Sequence, residues 1–188
     1  MLRGELYIAD DEDLAVDFAH AQDLLARYNG LAHGEQRTRD EILAELLGEV
    51  GEGVVIRPPF RCEYGTRVTI GAGTFANYDL LMLDVAPITI GARCQIATRV
   101  QVLTATHPID PEARRLGWES AAPIVVGDNV WLGGGVILCP GVTIGDDTVV
   151  GAGAVVTRDL PSGVVAVGAP AKILREIAER DRVDIPAR

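Results

Sequence analysis

From Val126 onward an aliphatic residue recurs every six positions, at Val126, Leu132, Leu138, Ile144, Val150 and Val156. The next position holds Gly127, Gly133, Cys139, Gly145, Gly151 and Thr157, and three further on stand Val130, Val136, Val142, Thr148, Ala154 and Leu160. An earlier set has the same form. Ile70-Gly71 goes with Thr74 and Ala76 with Leu80; after a two-residue phase shift come Ile90-Gly91 with Cys94, Ile96-Ala97 with Val100, and Val102. A period of six is too short for a pair of helices and does not fit a propeller blade. It matches the hexapeptide repeat of a parallel β-helix. Each hexad supplies one short strand and one turn, and three hexads close a triangular coil of about eighteen residues. Coils stack about 4.8 Å apart with the aliphatic residues inside, and the glycine that follows suits a corner needing unusual backbone angles. The chain is therefore mainly β.

Three segments depart from the hexads. Residues 11–29 set Leu14, Phe18, Leu24, Leu25 and Tyr28 at helical spacings, with acids in the first turn where the helix dipole favours them. A second helix is expected from Thr38 to Leu47, with Ile42, Leu43, Leu46 and Leu47 as its stripe, so a helical hairpin precedes the prism. Between Val102 and Val126 the stretch 104–123, TATHPIDPEARRLGWESAAP, has three prolines and no hexad phase. A long excursion from a solenoid is usually functional or disordered. Residues 171–181, AKILREIAERD, read as a terminal helix capping the open end of the prism. The expected division is 1–52 for the helical segment, 53–170 for the β-helix with its loop 104–123, and 171–188 for a C-terminal helix and tail.

Charge narrows the function. The chain of 188 residues has net charge -10, and its first 50 residues carry 12 acidic against 4 basic residues, the remainder 15 against 13. Without a basic stripe, no counterion release favours binding to nucleic acid or to an anionic membrane. No uninterrupted run of about 18 apolar residues argues for a membrane span, and the first residues lack the apolar core of a secretory signal, so a cytoplasmic protein is expected. Cys62, Cys94 and Cys139 are an odd number, far apart and in apolar surroundings. They read as small core residues rather than disulfides or a metal clip.

His107 opens the extruded loop. It is either a satisfied loop histidine or a general base, and its position, where the coil surface gives way to an irregular arm, favours the base. His20 and His33 read as structural or exposed, and one histidine in the β-helix portion does not make a three-histidine zinc site. Asn77 and Asp84, in NYDLLMLD, are either turn residues or a pair that recognises hydroxyls by hydrogen bonds. Arg158, Lys172 and Arg175 form the only basic group near the last coils, Lys172 being the only lysine; they make either a solvated face or a contact for phosphates. Trp131 occupies an outward hexad position and serves as an exposed platform or as packing between subunits.

Taken together, GELY at 4–7, RYN at 27–29, FRCEYG at 60–65, LDVAPITIG at 83–91, TATHPIDP at 104–111, VWLGGGVILCPGVTIGD at 130–146 and GAPAK at 168–172 resemble the hexapeptide-repeat acyltransferases, in particular the maltose/galactoside O-acetyltransferase group. The resemblance implies a left-handed parallel β-helix, a homotrimer with active sites between subunits, acetyl-CoA as co-substrate and no metal. It makes His107 the catalytic base that deprotonates a sugar hydroxyl for direct attack on the thioester, without an acyl-enzyme. It assigns Asn77 and Asp84 to the acceptor, and Trp131, Ala152, Thr157, Arg158, Lys172 and Arg175 to the groove for coenzyme A. Phe18, His20 and Gln22 stand where the family often carries arginines, and Gly133-Gly134-Gly135 is expected to leave one edge of the groove open. A xenobiotic or other non-sugar alcohol is the alternative acceptor, and a non-catalytic β-helix scaffold the alternative class.

Overall fold

The structure is a computed structural model that describes residues 5–184 and residue 186. Three parallel sheets form the walls of a triangular prism. The first face contains Glu49–Val50, Val68–Ile70, Ile88–Ile90, Ile124–Val126 and Thr143–Ile144. The second contains Val55–Ile56, Phe75–Ala76, Gln95–Ile96, Trp131–Leu132, Val149–Val150 and Val164–Val167; the third, Phe60–Cys62, Leu80–Leu83, Gln101–Leu103, Ile137–Leu138 and Val155–Val156.

Register explains the hexads. Ile56, Ala76, Ile96, Leu132, Val150 and Ala166 pair in one row of the second face, and Cys62, Met82, Val102, Leu138 and Val156 in one row of the third. Every one of these side chains is buried, so the repeated aliphatic position is the continuous core. Stacking also shows what the loop is. Ile90 pairs directly with Val126, so the stretch between Leu103 and Ile124 leaves the prism and re-enters it without disturbing the ladder. Cys62 and Cys94 lie inside as expected, whereas Cys139 is only partly covered.

Two helices pack in front of the prism: α1, Glu12–Gly30, and α2, Gln36–Leu46. Asp11 caps α1 by accepting the Asp13 N–H. Leu24, Leu25 and Tyr28 of α1 and Ile42, Leu43 and Leu46 of α2 are buried in the same core as the first coils. The Tyr28 ring meets Phe60 edge-on, its hydroxyl bonds the Ile56 carbonyl, and burial pushes its pKa up to about 12. No helix among the described residues is long and apolar enough to cross a membrane.

The C-terminal helix expected over residues 171–181 does not form. After Gly168, in the left-handed region at φ +94°, the chain reverses and Lys172–Glu176 pairs antiparallel with Val164–Val167; a 3₁₀ turn, Glu179–Asp181, follows. The physical reason is the edge of the last coil, whose unpaired N–H and C=O groups a returning strand satisfies and a helix would not. Ile173, Leu174 and Ile177, which gave the segment its helical look, are exposed at 50%, 64% and 38%. Of the expected tail, residues 185, 187 and 188 lie outside the described residues.

Candidate active site

Each coil turns three corners, and the site residues fall on two of them. At the corner from the third face to the first, Thr104 is fully buried; its hydroxyl donates to the Leu83 carbonyl at 2.6 Å and accepts from the Ala86 N–H at 2.9 Å. From this anchor the chain leaves the prism through Ala105–Thr106, which pairs with Ser120–Ala121 at the other end of the loop, and His107 stands exposed immediately beyond. A five-residue helix α3, Pro111–Arg115, capped by Asp110, fills the loop. Tyr7 closes it from outside: its N–H and C=O pair with Glu119, and its hydroxyl donates to Glu119 Oε2 at 3.2 Å. Beneath lies a small apolar cluster of Tyr64, Val85, Ala86 and Ala121, against which Leu14 and Ala105 pack.

Asp84 sits at the same corner with 0% exposure. Its Oδ1 accepts from the N–H groups of Glu63 and Tyr64 at 2.9 and 3.0 Å, and its Oδ2 has no partner. Oδ2 is left unclaimed among the described residues, and through Oδ1 the carboxylate braces two coils. The group it supports is Glu63, which sequence reasoning passed over. Glu63 is partly exposed, and its carboxyl is held above the usual range by burial, then by the charges of Asp84 and Glu119. Arg67 stacks on Tyr64, 4.4 Å from the ring centroid, and donates to the Asp84 and Val85 carbonyls. The signal for Glu63 was a charged residue directly after a buried strand position; Glu119, in an aperiodic loop, offered none.

The other group occupies the second face and the corner beyond it. Phe75, Gln95, Trp131, Val149, Val165 and Arg175 pair in one outward row. Trp131 is 55% exposed and, with Phe75, Asn77, Gln95 and Ala97, lines a depression of about 190 Å³. Asn77 spans its own turn, its Oδ1 accepting from the Tyr78 N–H at 2.9 Å. Ala152 lies against Gly133, where a Cβ would stand 2.5 Å from the Ala152 nitrogen. Gly133 therefore permits close stacking of coils, whereas a Cβ at Gly134 would meet nothing nearer than 3.5 Å and one at Gly135 nothing within 4 Å.

The basic residues are not equivalent. Lys172 and Arg175 belong to the strand Lys172–Glu176 rather than to the helix expected over residues 171–181. Arg175 gives both ends of its guanidinium to Asp181, at 2.6 and 2.8 Å, which holds the Asp181 carboxyl down at about 2. Lys172 and Arg158 are exposed and form no ion pair among the described residues. Thr157 and Arg158 turn the same corner as His107, two coils further along, roughly 10 Å by sheet spacing. One chain thus presents two walls: His107, Thr157 and Arg158 on one corner, and Asn77, Trp131, Ala152 and Lys172 on the second face and the corner beyond it. The strand Leu80–Leu83 separates them, four extended residues or roughly 13 Å.

Two family motifs match the chain: the maltose acetyltransferase hexapeptide capping motif over residues 1–51 and the bacterial transferase hexapeptide, six repeats, over residues 123–158. Nodulation protein L of Rhizobium meliloti (strain 1021) is 48% identical over 92% of this chain and 94% of its own length. The crystal structure of a maltose O-acetyltransferase from Clostridium difficile 630 superimposes with a TM-score of 0.93 at 44% identity, covering 95% of each chain. A galactoside acetyltransferase in complex with coenzyme A gives a TM-score of 0.94 at 37% identity, covering 96% of this chain and 90% of that one.

Proposed function

This chain belongs to the maltose and galactoside family of hexapeptide-repeat O-acetyltransferases, and on that premise we propose that it moves acetyl from acetyl-CoA to a sugar hydroxyl at a cleft between two copies of the prism. His107 takes the proton of the acceptor hydroxyl as its oxygen attacks the thioester carbonyl. The tetrahedral intermediate then collapses, the C–S bond breaks, and the proton returns from the imidazolium to the departing thiolate. No acyl-enzyme is needed. Asn77, through its amide, and Asp84, through the carboxylate oxygen that no described residue claims, serve the acceptor. Trp131, Ala152 and Thr157 flank the pantetheine arm, while Lys172, Arg158 and Arg175 meet the phosphates, Arg175 only by exchanging its bond to Asp181.

The observation that carries this reading is the division of the site into two walls. Acyl transfer needs the reacting atoms about 3 Å apart, and residues at two corners of one prism do not converge that closely. A neighbouring prism brings its second face to the corner that carries His107, and a closed ring of three uses every wall once. A homotrimer with three shared sites follows. The exposed His107 at the root of a braced loop favours an enzyme over a scaffold.

A thiol-release assay with acetyl-CoA against maltose, glucose, galactosides and a chloramphenicol-type alcohol tests the reading. His107→Ala is expected to lower kcat by about 10²- to 10⁴-fold while calorimetry shows coenzyme A still bound. Turnover confined to the xenobiotic alcohol would move the acceptor class. Undiminished turnover in the variant would remove His107 from the chemistry, and failure to bind coenzyme A would favour the scaffold.

A further inference from the structure

Where α2 begins, the helical hairpin leans on the first coils and borders a cavity of about 520 Å³. His33, Gln36 and Arg39 line it from the hairpin, and Arg57, Phe75 and Tyr78 from the prism; its remaining walls are apolar and no carboxylate lines it. In a chain of net charge -10, whose acidic surplus is concentrated in this very segment, a cavity with two guanidiniums, an imidazole and no acid runs against composition.

Arg39 is 7% exposed. One end of its guanidinium donates to the carbonyls of Leu31 and Ala32 at 2.7 and 3.1 Å, while its Nε has no partner. Neither Arg39 nor Arg57 forms an ion pair among the described residues. A buried guanidinium without a counter-charge is costly, and a bound anion offsets that cost. Arg57 is held ready, its guanidinium carbon 5.2 Å from the Phe75 ring centroid and 5.1 Å from that of Tyr78. The start of α2 adds to the field. Its first turn has no acidic residue, and Glu35, at the cap, turns its carboxylate to the Ala32 N–H instead of capping the helix. The positive end of the helix dipole thus has no acid in its first turn, Glu35 standing at the cap and Asp40 a turn on, where it accepts from the Gln36 amide at 2.7 Å.

We propose that this cavity is an oxyanion subsite for a phosphate or carboxylate group, and that it reads an anionic substituent on the acetyl acceptor. The second part rests on the transferase reading above. It follows from adjacency: Phe75 lines both this cavity and the depression that holds Asn77 and Trp131, and Tyr78 follows Asn77 in the chain. The acceptor class is then a sugar bearing a phosphate or a carboxylate. Arg57 and the start of α2 bind the anion, and Arg39 contributes its charge from behind.

The test uses the whole chain. Calorimetric titrations compare glucose 6-phosphate, glucose and inorganic phosphate on the wild type, on Arg57→Glu and on Gln36→Glu, which leaves the buried Arg39 in place. Glucose 6-phosphate is expected to bind the wild type at least about tenfold more tightly than glucose, and each variant to weaken it by about ten- to a hundredfold, the effect of losing charge-assisted hydrogen bonds. In the thiol-release assay the ratio of kcat/KM for glucose 6-phosphate over glucose is expected to fall about tenfold in Arg57→Glu. Binding no tighter than glucose, or unchanged in both variants, overturns the subsite. Inorganic phosphate bound as tightly as glucose 6-phosphate, with an unchanged turnover ratio, overturns the acceptor role in favour of a free anion. If no acceptor is acetylated yet Arg57-dependent binding remains, the transferase reading fails and the subsite stands. Turnover of neutral sugars without anion binding gives the reverse.

Discussion

Glu63 shows how a single side chain at this site is tuned. Its carboxyl is raised by burial and by two neighbouring acids, Asp84 and Glu119. A carboxyl whose folded pKa lies above its unfolded value opposes folding while ionised, and that opposition is relieved as pH falls through the folded value. Glu63→Gln is therefore expected to raise the thermal midpoint at pH 7, with the gain vanishing as the pH approaches about 4, where free glutamate itself titrates. Unfolding scans across that range check it, and a midpoint unchanged at pH 7 would mean that neither burial nor the neighbouring acids penalise the ionised carboxylate. Asp84, one step away, was visible in the sequence as a carboxylate among apolar residues. What it braces was not visible, since the Glu63 and Tyr64 N–H groups that donate to its Oδ1 lie one coil back.

At the scale of the element, the coils demand contact so close that some hexad positions exclude a side chain. A Cβ at Gly133 would meet the Ala152 nitrogen at 2.5 Å, whereas at neighbouring Gly134 the nearest atom is the Thr98 oxygen at 3.5 Å. Gly133→Ala is expected to cost about 1–3 kcal/mol, the range for forced overpacking, and Gly134→Ala less than about 0.5 kcal/mol. Urea unfolding of the two variants separates them; equal losses would show that stacking is not what selects glycine there. The hexads were legible because each repeat poses the same steric problem. The last segment was not, since Ile173, Leu174 and Ile177 satisfy helical spacing while the unpaired edge of Val164–Val167 decides for a strand.

Across the whole molecule, two walls that share no corner make a prediction about assembly. Light scattering is expected to return three times the 20.0 kDa chain mass. The sharper test is complementation. His107→Ala disables one wall and Lys172→Glu the other, so chains of the two variants, unfolded and refolded together in equal amounts, are expected to recover about a quarter of wild-type activity at low acetyl-CoA, the share of random trimer sites with both walls intact. No recovery would mean that each chain carries its own complete site.

Periodicity alone determined the prism, its loop and the place where the loop leaves it, because spacing along a chain is enough to say which side chains must share an interior. The position of His107 was legible for the same reason: it interrupts a regular series. Tertiary structure decided everything that depends on what stands opposite. It set one oxygen of Asp84 between two coils, tied Arg175 to Asp181, folded the terminal segment back as a strand and gathered Arg39 and Arg57, eighteen positions apart in unrelated elements, around one cavity. Charges and hydrogen bonds act over a few ångströms in space, and no spacing in the sequence encodes which coil, helix or neighbouring chain supplies the partner.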